Sequence, residues 1–554
     1  SSVTGVQTCA LPISNTSGTF TYDLSCSKSG AVTSCTPSQS TVALGPSSSA
    51  NVGVVFSASA AASGTVGLTA SAAVGSDAGS YNVTVRMPGA APHVDVSMNP
   101  GTTLERGLCV TVAMGSGAAA ECGDLRIVHA LPSTRTMNKA RTPTLIYNSQ
   151  HAAPRPIVMA DVTLPSGATT PDSVTAVLSV GGTQRAQGKW TGAQWSAGVT
   201  RRIALGYDAS TQTTGVYPYT LEVTSWSGGT PSRTTASGEL VVVNRSSSPF
   251  GAGWWLAGLE QLDVNTKLWV GGDGSTRRYV PAGTNKWVAA NLLHPDTLKW
   301  DGTYYTRYLP GGVQVKFNSS GQHVITRNRL GHQTTFGYTS GRLSSITLPS
   351  NGLARSYSFA YDANGKLRTV TAPSLTRADG TTVNRVTTLT VVSGRVTSIL
   401  DPDGVPVSFG YDAGIANRIR TRTDKRGTVT TYSFDAAHKL SRDSTYMGSG
   451  QAAIVRSLRS AESQTLSPNA EDPALVHVLL DGPRTDVADT TRFQLDRFGQ
   501  VRAIVDALGH TTTILRSDAR WPGLVTEVAY PNGRVTRATY DARGNVLTTT
   551  EVNP

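Results

Sequence analysis

A unit of about twenty-two residues recurs through the C-terminal half of this chain, and no other feature restricts the fold as sharply. Its clearest copies are FAYDANGKL at 359–367 and ATYDARGNV at 538–546, with weaker copies VKFNSSGQH, FGYTSGRL, FGYDAG, YSFDAAHKL and FQLDRFGQV. The residue before the Asp position falls at Phe317, Tyr338, Tyr361, Tyr411, Phe434, Leu495 and Tyr540. The intervals are 21 residues from Phe317 to Tyr338, 23 from Tyr338 to Tyr361 and 23 from Tyr411 to Phe434. Asp496, Asp518 and Asp541 continue the period at 22 and 23, and an irregular stretch of about 441–490 interrupts it. Two strands of roughly six residues with their turns make one β-hairpin of this length. Such a hairpin buries its apolar face only against its neighbours, so the repeat predicts a stacked β-architecture.

Each part of the unit has assignable work. Tyr338, Tyr361, Tyr411, Phe434 and Tyr540 share a sheet face with the residue two before them and pack against the next hairpin. Asp362, Asp412, Asp435, Asp496 and Asp541 accept hydrogen bonds from turn amides, while Gly341, Gly365, Gly499 and Gly544 take the left-handed position. The Leu or Val after the glycine re-enters the strand. Asp-Gly, Asn-Gly and Gly-Gly turns throughout the region supply the positive φ that tight hairpins need.

These units resemble the tyrosine-aspartate (YD) repeats of the rearrangement-hotspot (RHS) family, also found in insecticidal toxin-complex proteins and teneurins, whose motif is roughly YDxxGRL. The preceding SPFGAGWWLAGLEQL and CGDLRIVHALPSTRTMNKARTPTLIYNSQH are similar to the segments that lead into such repeats in large bacterial surface proteins, so the resemblance covers about residues 120–554. It implies a hollow β-shell around a C-terminal toxin or effector, or else part of an adhesive ectodomain. The partner it implies is the protein's own C-terminal toxin or core segment. This sequence reaches Pro554 just after a repeat, so the family's autoproteolytic residues have no positions here to receive them.

The N-terminal half reads as short strands as well. Residues 1–13, SSVTGVQTCALPI, share no pattern with the rest of the chain, begin without Met, and are set aside with Cys9 as non-native. Residues 14–86 alternate with turn signals every 8–12 residues, which predicts an immunoglobulin-like sandwich. Residues 87–143 read as a linker and a disulfide-closed hairpin, 144–245 as a second sandwich, and 246–554 as the repeat shell, a partial cocoon. Trp190, Trp195, Tyr217, Tyr219 and Trp226 are expected to pack the second sandwich, with a sugar-stacking platform as the alternative. Trp254 and Trp255 open the shell as its plug or first turn, or serve as a glycan-stacking pair. The fold class expected is all-β, as low charge content (15%) and 56 glycines also suggest.

Cys26 with Cys35 and Cys109 with Cys122 form two close pairs without a CxxC or a histidine cluster, so disulfides are expected and zinc is not. An oxidising, extracellular or cell-surface location is the consequence. The formal charge of +12 would suit an anionic partner, but no compact basic run occurs, and a solvated surface without a nucleic-acid role is the expectation. No apolar run approaches the roughly 18–20 residues of a membrane span. No GxSxG, HExxH, GxxxxGK or strand-following GxGxxG occurs, His332 and His510 sit at like repeat positions, and Asp401 and Asp403 read as a DG turn and not a calcium loop. The expectation is therefore a non-enzymatic, monomeric scaffold without cofactor or metal, which encapsulates and delivers a C-terminal toxin. The alternative is an adhesion or carbohydrate-binding module that engages cell-surface glycans.

Overall fold

Ser63–Ala72 shows how this composition makes strand: Val66, Leu68 and Ala70 are buried and the residues between them are not. Successive side chains of an extended backbone leave opposite faces, so alternation puts one face into a core. The computed structural model describes residues 3–11, 18–46, 48, 50–58, 63–73, 75–84, 93–98, 111–114, 118–290, 294–352, 354–448, 451–496 and 498–554. The chain divides into two units, Ser1–Ala91 and Pro92–Pro554.

The first unit is a two-sheet sandwich. One sheet runs Thr41–Leu44, Phe20–Gly30, Ser63–Ala72, Gly75–Thr84, and the other runs Val3–Leu11, Ala50–Ala58, Val32–Pro37. Tyr22, Leu24, Val52, Val54 and Leu68 from the two sheets form its core. Val3–Leu11, set aside on the sequence, is a strand whose backbone pairs along Ala50–Ala58. Counted along the chain the sheets hold strands 4-2-6-7 and 1-5-3, whereas the immunoglobulin constant type groups 1-2-5-4 and 3-6-7. The expected immunoglobulin-like order is therefore not found here. Consecutive strands Phe20–Gly30 and Val32–Pro37 lie in opposite sheets, and the Cys26–Cys35 disulfide joins them at a Cα–Cα distance of 5.9 Å.

The second unit contains its own sandwich and more. Asp95–Met98, Ile157–Thr163 and Thr200–Gly206 form one sheet, and Thr183–Thr191, Ser173–Val180, Gly215–Ser227 and Thr230–Val242 the other. This order differs from the immunoglobulin constant type only in the sheet that the fourth strand joins. Trp190, Trp195 and Tyr219 are buried between the sheets, which leaves no open aromatic face for a sugar at those three positions, while Tyr217 and Trp226 are half-buried.

The sequence placed Thr144–Asn148 in the second sandwich and Trp254–Leu256 in the shell, but the two strands are hydrogen-bonded neighbours. They form a separate five-stranded sheet with Asp124–Ala130, Ala118–Glu121 and Thr111–Ala113. Helix Ser149–Ala152, capped by the Asn148 side chain on the N–H groups of Gln150 and His151, closes that sheet. We call this sheet with its helix the cover.

From Gln261–Asp263 to Val546–Val552 the chain forms one antiparallel sheet of 26 strands in sequence order. The interruption of the period has a cause. Ile454–Arg459 pairs directly with His477–Asp481, so the ladder continues, while residues 460–476 leave it and run along the neighbouring sandwich. There the Arg202 N–H donates to the Glu471 carbonyl (2.7 Å), the Ala204 N–H to Thr465 (2.9 Å), and Trp190 Nε1 to Asn469 (2.8 Å). The sheet also curls back on itself. The Gly311 N–H donates to Asn545 Oδ1 at 2.8 Å, and Gly544 lies so close to Pro295 that a Cβ would stand 2.2 Å from its Cγ.

Candidate functional site

The repeat motif builds a regular joint between hairpins. Ahead of the aromatic position the ladder slips by one residue in every copy: at Phe317, Tyr338, Tyr361, Tyr411, Phe434, Leu495 and Tyr540, and also at Val391 in the degenerate LTVVSGRV. A bulge bends the strand and re-aims the side chain. Each tyrosine hydroxyl then donates to a carbonyl of the preceding hairpin: Tyr338 to His323 (2.8 Å), Tyr361 to Leu343 (2.9 Å), Tyr411 to Val396 (2.8 Å) and Tyr540 to Val525 (2.5 Å). Burial pushes the Tyr338, Tyr361 and Tyr411 hydroxyls well above the ordinary phenol range.

The aspartates close the turns. Asp362 Oδ1 accepts the Lys366 N–H at 2.8 Å, and Asp435, Asp496 and Asp541 bind the N–H four residues on in the same way. Gly365, Gly499 and Gly544 sit at φ of 71°, 79° and 75°, which only glycine adopts without strain. Asp412 holds a longer turn through the Gly414 and Ile415 amides and Arg418. At Tyr338 no Asp comes next: Ser340 and Gly341, at φ 49° and 76°, make a two-residue turn instead. In the copy at Asp435, His438 occupies the glycine position at φ 59°. Asn318 closes the turn after Phe317 in the same way, standing at the Asp position of its copy, and the same side-chain turn closes the opposite ends of hairpins at Asn328, Asp424 and Asp506, which the motif alone did not mark. His332 and His510 are the fourth residues after Asn328 and Asp506, at strand starts.

The cover docks on these joints. In the copies from Tyr338 to Phe434 the residue that re-enters the strand after the turn is buried, at Leu343, Leu367, Val396, Ile419 and Leu440, whereas Val546 in the last copy is exposed. At four of these joints the backbone bonds to the cover or the segment leading into the repeats. Leu367 donates to the Pro249 carbonyl (2.7 Å), Ile419 to the Tyr147 hydroxyl oxygen (2.9 Å) and Leu440 to the Gly123 carbonyl (2.7 Å), while Gly394 accepts from the Ala252 N–H (2.8 Å).

Trp254 and Trp255 belong to this seam. Trp254 is 0% exposed, with its ring against Tyr147 at 5.6 Å and edge-on to Phe409 at 5.2 Å. Trp255 is 8% exposed, packs on Phe250 at 5.2 Å, lies beneath the Arg245 guanidinium, and donates its Nε1–H to the Leu259 carbonyl. The glycan-stacking expectation for this pair is corrected: a stacking platform needs an open ring face, and both rings are buried, each enclosed by its own neighbours.

Charged side chains lock the same seam. Lys439 is buried and its Nζ donates to Asp124 at 2.9 Å. Asp401 accepts from Lys425 Nζ (2.6 Å) and lies 3.1 Å from His129 Nε2. Partial burial raises the Asp401 carboxyl, but its bonds from His129 and Lys425 outweigh this and hold it at about 2. Asp403 binds the Val405 N–H and Lys425, as a turn residue does. Nearer the start of the sheet, Asp296 accepts from Arg277, Arg307 and Tyr279 at 2.6, 2.7 and 2.7 Å, a buried network the sequence did not signal.

Cys122 is disulfide-bonded, while Cys109 lies outside the described residues. Among the described residues no group of three or more His, Cys, Asp or Glu side chains could hold a metal ion, and no helix is long and apolar enough to cross a membrane.

Residues 301–479 match the family described as Teneurin YD-shell, and residues 523–554 match the family described as RHS Repeat. No curated protein matches the sequence. Among solved structures, the TcdB2-TccC3-Cdc42 crystal structure is similar at 12% identity and a TM-score of 0.30, over 79% of this chain and 25% of that one. The TcdB2-TccC3 crystal structure is similar at 9% identity and a TM-score of 0.26, over 79% and 26%. The chain thus spans about a quarter of the length of these solved chains.

Proposed function

Taking as premise that this is an RHS/YD-repeat protein, and so carries a structural scaffold, we propose that the 26-stranded sheet is the wall of a compartment that holds a C-terminal polypeptide, a toxin or effector, and delivers it outside the cell. One observation carries this reading: the sheet returns on itself where Gly544 and Asn545 meet Pro295 and Gly311. A wall that meets itself has an inside. The cover seals one stretch of the core-facing surface through the repeat joints, and beyond Ala503 no large apolar side chain is buried. Ile504, Ile514 and Val528 there are only half-buried, which leaves apolar surface for an enclosed chain.

An extracellular or surface location is supported by the Cys26–Cys35 disulfide. The role is non-enzymatic: the ionised and buried groups of the seam each face a structural partner, and the joints they lock are mechanical.

The test is to read the gene past the codon for Pro554 and to treat the whole product with protease. A core-forming segment and then an unrelated domain that resists cleavage support the reading. Gly544→Val, which adds a side chain at positive φ against Pro295, should open the seam and expose that domain. Further repeats ending in a wall or membrane anchor, or a downstream domain cut as fast as the free polypeptide, would replace it with adhesion.

A further inference from the structure

Lys286 stands directly across from Lys299 in the repeat sheet, and the same row continues through Thr306 to Lys316. Leu298, Val315 and Phe317, the sequence neighbours of Lys299 and Lys316, are buried in the core. Alternation therefore sends these lysines to the opposite face, on which Lys316 is half-buried and Thr306, between it and Lys299, is buried. The adjoining row on that face holds Thr297, Tyr308, Gln314 and Arg327. Lys286, Lys299, Tyr308 and Arg327 are exposed.

Arg277, Arg278 and Arg307 make ion pairs in this stretch. Among the described residues none is made by Lys286, Lys299, Lys316 or Arg327. Lys299 and Lys316 instead sit over the rings of Tyr308 (5.5 Å) and Tyr304 (5.1 Å). Asp301 is within electrostatic reach of Lys316, but its carboxylate accepts the turn N–H groups of Thr303 and Tyr304. From residue 302 to residue 361 the sequence contains no acidic residue.

Like charges directly opposite one another weaken an antiparallel pair. With strands about 4.8 Å apart, the row sets three ammonium groups along a line of roughly 15 Å. We propose that this face docks an acidic polysaccharide, whose regularly spaced carboxylates or sulfates would neutralise the row. Lysines are compact point charges with rotatable donors, which can meet such groups from several directions. Thr297, Gln314 and Tyr308 supply hydrogen bonds and a ring for sugar hydroxyls and faces. Among the described residues only Tyr308 is an exposed aromatic ring on this face, so it offers no series of stacking platforms for bases. The proposal concerns the solvent face and does not rest on the enclosure reading.

The test titrates the full chain with dextran sulfate, with uncharged dextran and duplex DNA in parallel. The expected result is binding to dextran sulfate that weakens as salt is raised, and none to uncharged dextran. Lys286→Gln/Lys299→Gln/Lys316→Gln should bind about tenfold or more weakly, while its melting temperature holds or rises because like charges have been removed. Arg135→Gln/Lys139→Gln/Lys189→Gln, which removes the same charge elsewhere, should bind within about twofold of the parent. No binding by the parent, equal loss in both triple variants, an unaffected row variant, or duplex DNA binding as tightly as dextran sulfate overturns the proposal.

Discussion

The Tyr361 hydroxyl donates to the Leu343 carbonyl at 2.9 Å, and Leu343 stands two residues past Gly341, in the preceding repeat. The tyrosine of one unit therefore reads the turn exit of the unit before it. Tyr338 with His323 and Tyr411 with Val396 repeat the relation, so the motif residue that looks like packing is also a fastener between hairpins. Removing the hydroxyl leaves a half-buried carbonyl without its donor. Tyr361→Phe should lower unfolding stability by about 1–3 kcal/mol in denaturant titration. Tyr361→Phe and Tyr411→Phe touch different joints, so their losses should add. A Tyr361→Phe variant as stable as the parent would reduce the hydroxyl to a bystander.

Trp254 fills the space between Tyr147 of the cover and Phe409 of the repeat sheet. Trp254→Ala leaves a cavity at a fully buried position, with an expected loss of about 3–5 kcal/mol. Because the ring is enclosed, any change in carbohydrate binding should track unfolding. Binding lost by a variant with parental circular dichroism and melting temperature would return the tryptophan to a recognition role.

The all-β class, the repeat and the tyrosine and glycine positions were legible because hairpin periodicity and turn chemistry are local. The aspartate turns were half legible: NRLG at 328–331, DKRG at 424–427 and DALG at 506–509 spell the same device at the opposite hairpin ends. A search for Asp or Asn three residues before Gly would have found them. Burial of Trp254 was not legible, since it depends on Tyr147 in a strand, Thr144–Asn148, that the sequence assigned to another domain. Nor was the order of the first sandwich, which is set by the sheet each strand joins and leaves no mark in period-two alternation. The lysine row was hidden because its members lie 13 and 17 residues apart and meet only in register.

Lys439 and Asp124, both buried, bridge the repeat sheet and the cover at 2.9 Å, with Glu462 also within 3.8 Å of the ammonium. Lys439→Met keeps much of the volume but takes the buried ammonium away from Asp124 and Glu462, with an expected loss of about 3–5 kcal/mol. Adding Asp124→Asn should restore part of it. A double variant less stable than the sum of the single losses would mean that the pair does not act as a unit.

Asp401 ties three parts of the second unit together through His129 of the cover, Lys425 of a repeat turn and Thr387 of a neighbouring strand. Burial works against its charge, yet the bonds from His129 and Lys425 hold the carboxyl at about 2, below the unfolded value of 3.8. A folded value below the unfolded one means that the unfolded chain binds more protons between the two. The carboxylate's contribution is therefore complete above about pH 4 and is lost as pH falls through 2. Asp401→Asn keeps the shape and one acceptor but not the charge, and should lower stability at neutral pH by about 1–3 kcal/mol. Denaturant titrations from pH 6 to pH 2 should show the parent and variant converging as the parent carboxylate takes up its proton. A gap that stays constant over that range would mean that hydrogen-bond geometry alone, and not charge, holds the cover at this point.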